Sequence, residues 1–342
     1  DSVTGCGQIQ ADISDFKGAD KITFLRLGYE TKELSYAELE TMSFEVFLEP
    51  RPFNMYNIVV SATRWRQTSA DVPSEIITLT PTDIELQNPQ TAADLLGVTG
   101  KVFIQKSQQG GGSPMIRGFA TNRLLYTVDG VRRNTAIFRG GNIQNVISLD
   151  PFVTENTEVF FGPGSVIYGS DAIGGVMSFQ TLTPQFSRAE DRLITGTAET
   201  RHSSANGELS GHFDVNVGWK KWAFVSSFSS FDYGHMRQGS HGPDDYIKDH
   251  YVERQDGVDR VITQDDPQLQ IPSDYTQKNL MQKIRFQPSD TWDFQFGFHY
   301  SETSPYGRYD RHNRVRNGLP RYAEWNYGPQ KWMMNNLNIT HN

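Results

Sequence analysis

The stretch that decides the fold runs from Glu158 to Thr181 and reads EVFFGPGSVIYGSDAIGGVMSFQT. Two apolar, strand-like runs, EVFF and VMSF, enclose five glycines. Gly162-Pro163-Gly164 predicts a tight turn, and SVIY predicts about one helical turn that Gly169 can end in a left-handed conformation. Gly174-Gly175 lets one backbone lie close against another before the second strand begins. The pattern therefore predicts a compact strand-turn-strand unit.

This glycine pattern matches neither of the common phosphate-binding loops. A dinucleotide loop requires G-x-G-x-x-G, but Ile167 stands where the third glycine should be. A Walker loop requires lysine after G-x-x-x-x-G, and Ser170 stands there instead. The sequence also has no G-x-S-x-G nucleophile elbow, so hydrolase chemistry has no support. We predict no catalytic residue and no enzyme activity.

Composition narrows the class of protein further. The chain has 342 residues and a formal net charge of −8, and such an acidic balance argues against a nucleic-acid partner. Cys6 is the only cysteine, so neither an intrachain disulfide nor a cysteine-based zinc site can form. We predict no metal site and no covalent cofactor. No run approaches the ~18 apolar residues of a transmembrane helix.

The last part of the chain has a different period. Residues 185–342 alternate apolar and polar side chains in runs of about 11–13 residues, which is close to the length of a membrane-crossing strand. Short connections alternate with long polar ones, as in outer-membrane barrels. Alternation also occurs in soluble sandwiches, but length and loop asymmetry favour a barrel. We predict six strands: Leu193–His202, Gly207–Trp219, Trp222–Gly234, Tyr275–Gln287, Thr291–Thr303 and Lys331–His341.

Large aromatic residues are sorted by strand end. Trp219, Trp222 and Trp292 fall beside the short turns and predict one interfacial girdle, and Tyr233, Tyr300 and Trp332 beside the long loops predict the other. Because an open sheet edge is not viable in lipid, we expect the natural barrel to continue beyond Asn342.

The predicted fold is mainly β, with four zones. Residues 1–52 form a small β-sandwich-like piece, residues 53–67 a linker, residues 68–184 a compact mixed α/β domain, and residues 185–342 the first strands of a large antiparallel transmembrane barrel. The linker allows two interpretations. It is either a tether with one edge strand, or a segment that pairs with another protein's sheet.

The residues match a known family. GPGSVIYGSDAIGGVMSF closely resembles the end of the plug domain of TonB-dependent outer-membrane receptors. MIRGF (Met115–Phe119), LLYTVDGVRRN (Leu124–Asn134) and NIVVSATR (Asn57–Arg64) resemble further parts of such receptors, in the same order. Residues 1–52 resemble the end of a carboxypeptidase-regulatory-like domain. The resemblance implies a barrel of about 22 strands whose lumen is closed by a plug.

The resemblance also implies location, partners and site residues. It places the protein in the outer membrane of a Gram-negative bacterium, among lipid and lipopolysaccharide, with plug and N-terminal domain on the periplasmic side. TonB, driven by its inner-membrane complex, would pair with Asn57, Ile58, Val59, Val60, Ser61 and Ala62. The structural plug motif would comprise Arg117, Gly118, Phe119, Asp129, Gly130, Gly162, Gly164, Tyr168, Gly169, Gly174 and Gly175.

The cargo implied by the resemblance is haem, free or from a haem protein, or another iron complex. Ser301–Asn313 and Ala323–Leu337 resemble haem-receptor segments, although residues 53–190 contain no histidine. Five arginines in the Tyr306–Tyr322 loop could meet haem propionates, an anionic chelate or lipopolysaccharide phosphates, or could be solvated. Candidate ligand-binding residues are Phe138, Arg139, His235, His241, Arg308, Tyr309, Arg311 and His312.

Other functions remain open from the sequence. A receptor for a different cargo, such as a siderophore, cobalamin, a glycan or a peptide, would carry the same plug motifs. A signal-transducing surface receptor would need an extra periplasmic domain unlike residues 1–52. A barrel enzyme would need catalytic residues at a strand rim and no plug.

Overall fold

The structure is a computed structural model. It describes residues 17, 21–24, 32–42, 44, 46, 58–59, 67–68, 72, 74–106, 108–133, 145–187 and 191–341. The chain divides into two compact units, Asp1–Asn57 and Ile58–Asn342. Among the described residues, no helix is both long and apolar enough to span a membrane.

The described part of the first unit is small. Strands β1 (Ile22–Phe24) and β2 (Lys32–Leu34) pair antiparallel, and helix α1 (Tyr36–Thr41) follows directly. Ser35 begins α1 because its hydroxyl accepts from the Glu38 backbone while the Glu38 carboxylate accepts from the Ser35 backbone. The predicted domain boundary at residue 52 stays a prediction.

The second unit begins with the predicted linker and the predicted plug domain. Two-residue strands β3 (Ile58–Val59) and β4 (Gln67–Thr68) pair antiparallel. The elements of the plug domain are β5 (Glu75–Leu79), α2 (Pro81–Gln87), α3 (Ala92–Gly97), β6 (Phe103–Gln105), β7 (Ser113–Met115), β8 (Leu124–Val128), β9 (Val131–Arg133), β10 (Thr154–Phe161), α4 (Ser165–Tyr168) and β11 (Gly175–Thr181). Five of its strands form one sheet in the order β5-β10-β11-β8-β9, in which only β8 and β11 are parallel. β6 and β7 pair with each other in a separate two-stranded sheet.

The paired glycines of the opening stretch are explained by packing against the RGF motif. Arg117 and Gly118 both have positive φ, 49° and 83°, so the chain reverses and the Ile116 and Phe119 backbones pair. This turn presses the Phe119 side chain onto Gly174, where an added Cβ would lie 2.4 Å from the Phe119 Cβ. An added Cβ at Gly175 would lie 2.7 Å from the Phe160 carbonyl oxygen. Two motifs far apart in sequence therefore form one close contact.

Six long strands form one antiparallel sheet in the order β12-β13-β14-β19-β20-β25. They lie within two residues of the predicted ranges, and so the predicted period-two pattern is confirmed. Their bounds are β12 (Leu193–Ser203), β13 (Glu208–Gly218), β14 (Trp222–Tyr233), β19 (Tyr275–Ser289), β20 (Trp292–Thr303) and β25 (Lys331–His341). We term this six-stranded sheet the barrel wall. The plug lies against one of its two faces.

The opposite face of the wall is apolar and exposed. Because an exposed apolar area of this extent is unfavourable in water, this face suits contact with lipid. Its exposed large side chains are Ile194, Leu209, Phe213, Val215, Trp222, Leu280, Trp292, Phe296, Met333, Leu337 and Ile339.

One predicted aromatic girdle is partly wrong. Trp219, Trp222 and Trp292 are about half exposed beside the short turns, as predicted. Tyr233, by contrast, is buried against the plug, and Trp332 packs against the plug core and under Arg133. Both residues have the strand parity of the inward face, so they cannot meet lipid.

The long connections carry short elements of their own. They are β15 (Met236–Arg237), β16 (His250–Gln255), β17 (Val258–Thr263), β18 (Leu269–Gln270), β21 (Tyr306–Gly307), α5 (Tyr309–His312), β22 (Val315–Arg316), β23 (Leu319–Pro320) and β24 (Asn326–Tyr327). Paired hairpins β16-β17 and β22-β23 give these segments a defined backbone.

Candidate functional site

A cavity of about 380 Å3 lies where the plug meets the long-loop ends of β14 and β19. Its volume falls within the usual ~300–1,000 Å3 of small-molecule sites. We term it the apical cavity. Its lining residues are Gln90, Thr91, Asp94, Lys106, Gln108 and Gln109 of the plug, with Tyr233, Met236, Gln270, Tyr275, Tyr309, Asp310 and Asn313 of the wall and its loops.

Plug side chains are held to the wall at this cavity. The Gln109 amide donates to the carbonyls of Gly234 and Ser273, at 3.0 and 3.2 Å, and accepts from Asn206 at 3.0 Å. Thr91 begins α3 by accepting from the Asp94 backbone, which fixes Asp94 at the cavity. Hydrogen bonds therefore join the plug side of the apical cavity to the barrel wall and its loops.

Stacked tyrosines form the wall side of the cavity. The rings of Tyr233 and Tyr275 stack at 4.6 Å, and Tyr306 lies 5.4 Å from Tyr275. The Tyr233 hydroxyl donates to the Gln90 carbonyl at 3.0 Å. The Tyr275 hydroxyl is buried and finds no hydrogen-bond partner in the described part of the chain. Because an unpaired buried hydroxyl is costly, Tyr275 is the lining group best suited to bind a polar ligand atom.

The charges at the cavity are already paired within the protein. Lys106 contacts the Asp94 carboxylate, and Asp310 accepts two hydrogen bonds from Arg308, at 3.0 and 2.8 Å. The described lining contains no histidine. Hydroxyl, amide and aromatic groups therefore dominate the cavity surface.

The predicted ligand-binding residues lie in different places. Tyr309 lines the apical cavity, and Arg308 is bound to Asp310 beside it. His241 is exposed, and His235 is half exposed with its Nδ1 accepting from the backbone amides of Ser273 and Asp274. Phe138 and Arg139 lie outside the described residues.

Arg311 and His312 lie on α5, the short helix that also carries Tyr309, but they do not line the apical cavity. The Arg311 guanidinium stacks on Trp325, 5.2 Å from the ring centre. Burial lowers the pKa of His312 and outweighs a hydrogen bond with the Trp325 backbone that would raise it. The lowered pKa keeps the imidazole neutral near pH 7. Its Nε2 has no partner among the described residues. His312 and His250 line one small cleft.

Asp129 joins the plug to the barrel wall. It occupies the predicted Asp129-Gly130 turn, with φ values of 50° and 78°. Its carboxylate lies 2.9 Å from Lys283 Nζ and 3.1 Å from His299 Nε2, and it accepts from the Thr181 backbone and hydroxyl. Burial alone would raise the pKa of Asp129, but the His299 hydrogen bond and the Lys283 charge outweigh it and lower that pKa to about 2.

A second buried contact centres on Asp150 of the plug. Ser229 donates to the Asp150 carboxylate at 2.5 Å, and His212 Nδ1 lies 2.7 Å from the Ser229 oxygen. Burial raises the pKa of Asp150. His212 also contacts Asp214, so serine, histidine and aspartate lie in series. Ser229 is fully buried and its hydroxyl is committed to Asp150, so this arrangement does not present a nucleophile.

A third buried contact links Arg201 of the wall to the plug segment before α3. Arg201 binds Glu208 at 2.7 Å and also donates to the Pro89 carbonyl at 2.9 Å. Further bonds reach Asn88 and the Gln90 carbonyl, and the Gln90 amide donates to Glu208 at 2.6 Å. The pair is almost completely buried. It therefore holds the Asn88–Gln90 segment in place where this segment reaches the apical cavity.

Two further predictions concern metal and TonB. No group of three or more His, Cys, Asp or Glu that could hold a metal ion occurs in the described ranges. Within the predicted TonB segment, Ile58 and Val59 form β3, paired with Thr68 and Gln67. Residues 57 and 60–62 lie outside the described residues.

Known proteins resemble this chain in sequence and fold. Residues 68–176 match the TonB-dependent Receptor Plug Domain family. The chain is 34% identical over 160 residues to a Vitamin B12 transporter BtuB of Vibrio vulnificus, and 28% identical over 197 residues to a Hemin receptor of Yersinia pestis. These alignments cover 46% and 55% of this chain, and 25% and 28% of the relatives. The chain therefore spans about a quarter of the length of the curated relatives it matches.

The fold is also shared with solved structures. The Pyoverdine outer membrane receptor FpvA from Pseudomonas aeruginosa PAO1 superimposes with a TM-score of 0.55 at 14% identity, covering 73% of this chain and 30% of that one. At this identity the likeness establishes the plug-and-barrel fold alone.

Proposed function

We propose that this chain, which belongs to the TonB-dependent outer-membrane receptors, serves the import of a scarce nutrient by binding and translocation, without chemistry on the cargo. Haem or another iron complex is the proposed cargo. The observation that carries this proposal is the apical cavity, because plug and barrel wall both line it. A ligand bound there touches the domain that must move and the wall that stays in place.

Energy for transport would come from TonB. In this proposal TonB adds a strand to the Asn57–Ala62 segment, and the inner-membrane proton-motive force pulls on the linker ahead of β5. β-Augmentation suits this task because its affinity comes from backbone hydrogen bonds. Ile58 and Val59 already have an extended backbone in β3, which supports this proposal.

We expect Val59→Pro to abolish cargo uptake while cargo binding persists. Proline removes the backbone N–H that a paired strand donates, and Val59 is not among the residues that line the apical cavity. The matched control is Val59→Ala, which keeps the N–H and is expected to transport normally. Uptake into cells and binding to the purified full-length receptor are measured separately. Normal uptake by the proline variant would exclude this segment from the mechanism.

The cargo is tested by absorbance titration of the full-length receptor with hemin. We expect a shift of the Soret band on binding, and we expect His312→Ala to remove the histidine-ligated part of that shift. A neutral imidazole with an unpartnered Nε2 is the form that binds iron. The control is His241→Ala, because His241 is exposed and its Nδ1 contacts only Ser240 among the described residues.

A receptor that leaves the hemin spectrum unchanged would overturn haem as the cargo. Parallel titrations with a ferric chelate and with cobalamin then separate the remaining alternatives. The cavity surface of amides and tyrosines is compatible with these ligands and with a glycan or peptide. A signal-transducing role would show as cargo-dependent gene expression that persists when uptake is blocked.

A further inference from the structure

We propose that the β22-β23 hairpin is a binding site for oxyanions, the carboxylate or phosphate groups of a ligand outside the apical cavity. Three exposed arginines carry the site: Arg314, Arg316 and Arg321. The inference does not depend on TonB-driven import or on the identity of the cargo.

The backbone fixes the three arginines on one face. Asn317 and Gly318 have positive φ, 54° and 77°, the geometry of a tight two-residue hairpin turn. Val315 pairs with Pro320 and Arg316 with Leu319. The Arg321 amide donates to the Arg314 carbonyl at 2.7 Å, which places these two residues opposite each other. Because side chains alternate along a strand, all three arginines project from the same side.

The other face of the hairpin is supported by protein. Val315 and Pro320 line a cleft together with His250, Tyr251 and Tyr322. The hairpin therefore has an attached side and a cationic side. This arrangement differs from a freely solvated loop, in which no face is fixed.

The cationic face has no internal counter-charge. Like charges directly opposite each other destabilise a strand pair, and Arg314 faces Arg321. No carboxylate of the described residues lies within salt-bridge distance of the three arginines, whereas Arg308, Arg237 and other arginines of the loops are paired. A chain with a net charge of −8 thus keeps three unpaired cations together. An external anion would relieve their repulsion.

Aromatic stacking orients part of this face. The Arg321 guanidinium lies 5.1 Å from the Tyr322 ring centre, and Tyr322 packs edge-on against Trp325 at 4.5 Å. A stacked guanidinium keeps its N–H edges available for bidentate binding of carboxylate or phosphate. Trp325 in turn stacks with Arg311 on α5, and Asn313, just beyond α5, lines both the cleft and the apical cavity. The oxyanion site therefore adjoins the cavity.

Two sources could supply the oxyanion: a soluble ligand, or the phosphates of lipopolysaccharide in the outer leaflet. The test uses the purified full-length receptor in lipopolysaccharide-free detergent with citrate and pyrophosphate as soluble probes. A second arm measures binding to vesicles that contain lipopolysaccharide and to vesicles of phosphatidylcholine alone. Each arm compares the native receptor with R314A/R316A/R321A.

Two further variants distinguish binding at these three arginines from a general effect of positive charge. R237A/R254A/R260A removes the same charge from neighbouring loop segments, and R314K/R316K/R321K keeps the charge but loses the planar fork. We expect R314A/R316A/R321A to bind the oxyanion probe at least ~10-fold more weakly in one arm, because charge-assisted hydrogen bonds are stronger than neutral ones. We expect R237A/R254A/R260A to bind the probe with native affinity and R314K/R316K/R321K to bind it with intermediate affinity.

The arm that responds identifies the source of the oxyanion. An effect with citrate or pyrophosphate assigns a soluble ligand, and an effect confined to lipopolysaccharide vesicles assigns the membrane. An equal loss of affinity in R314A/R316A/R321A and in R237A/R254A/R260A would overturn the proposal. Native binding by R314A/R316A/R321A in both arms would overturn it as well. Circular dichroism and heat-dependent gel mobility check that each variant is folded.

Discussion

Asp129→Asn is expected to destabilise the docked plug by about 3–5 kcal/mol, the usual cost of breaking a buried ion pair by removing one partner. Lys283 is completely buried and would lose its carboxylate. Asparagine tolerates the positive φ of 50° at this turn, so the backbone change is small and the effect reports the lost charge. The measurement is the denaturant dependence of plug hydrogen exchange in the detergent-purified full-length receptor.

A matched control and a second-site variant sharpen this test. Asp171→Asn removes a partly exposed plug carboxylate paired with Arg132, and such a pair contributes only ~0–1 kcal/mol. Asp129→Asn combined with Lys283→Met removes the stranded charge as well, and we expect it to recover much of the loss. A cost for Asp129→Asn as small as for Asp171→Asn would refute the role assigned to this contact.

The same contact predicts a pH dependence. The pKa of Asp129 is about 2 in the folded protein, below the ~3.9 of an unfolded aspartate. Its contribution is therefore complete above pH ~4 and is lost as the pH falls toward 2. We expect the difference in plug stability between native receptor and Asp129→Asn to shrink over this interval.

Strand positions were predictable because a period of two is a local property. Each side chain of β13 or β20 reports its face through its immediate neighbours, and the predicted ranges agree with the structure. The same rule could have corrected the girdle. Tyr233 has the parity of Ser227 and Ser229, and Trp332 has that of Asn336, so both belong to the face that carries polar side chains.

The site was less predictable because it depends on contacts between distant elements. Of the ligand-binding residues predicted from sequence, Tyr309 lines the apical cavity, while Tyr275 was missed. Tyr275 is distinguished by its place opposite Tyr233 at the end of a strand pair, and strand pairing is not encoded locally. Asp129 was recognised as a turn residue, but its partners Lys283 and His299 lie more than 150 positions away.

The three buried contacts divide the plug unequally. Asp129, Asp150 and the Asn88–Gln90 segment are each tied to the wall by charged or charge-assisted hydrogen bonds. Residues 74–87, which include β5 and α2, precede all of these attachments. Within the described residues, this segment therefore lies before all three of these attachments to the wall, and the Arg201–Glu208 pair stands at its boundary.

Arg201→Met is therefore expected to loosen the floor of the apical cavity and to destabilise its attachment by about 3–5 kcal/mol. The substitution strands the fully buried Glu208, removes the Arg201 donor of the Pro89 carbonyl, and leaves the Gln90 carbonyl with the Tyr233 hydroxyl. We expect faster hydrogen exchange in α2 and α3 and weaker binding of cargo, because Gln90, Thr91 and Asp94 line the cavity. Exchange near Asp129 should change little, since that contact is separate.

The matched control for this variant is Arg237→Met, which removes a partly exposed arginine paired with Asp266 in a loop and should cost less than ~1 kcal/mol. Adding Glu208→Leu to Arg201→Met removes the stranded carboxylate, so we expect stability to recover while cargo affinity does not. That separation is the informative outcome, because stability depends on unpaired charge whereas affinity depends on where the Asn88–Gln90 backbone is held. Native exchange in α2 and α3 of Arg201→Met would show that other contacts position the cavity floor.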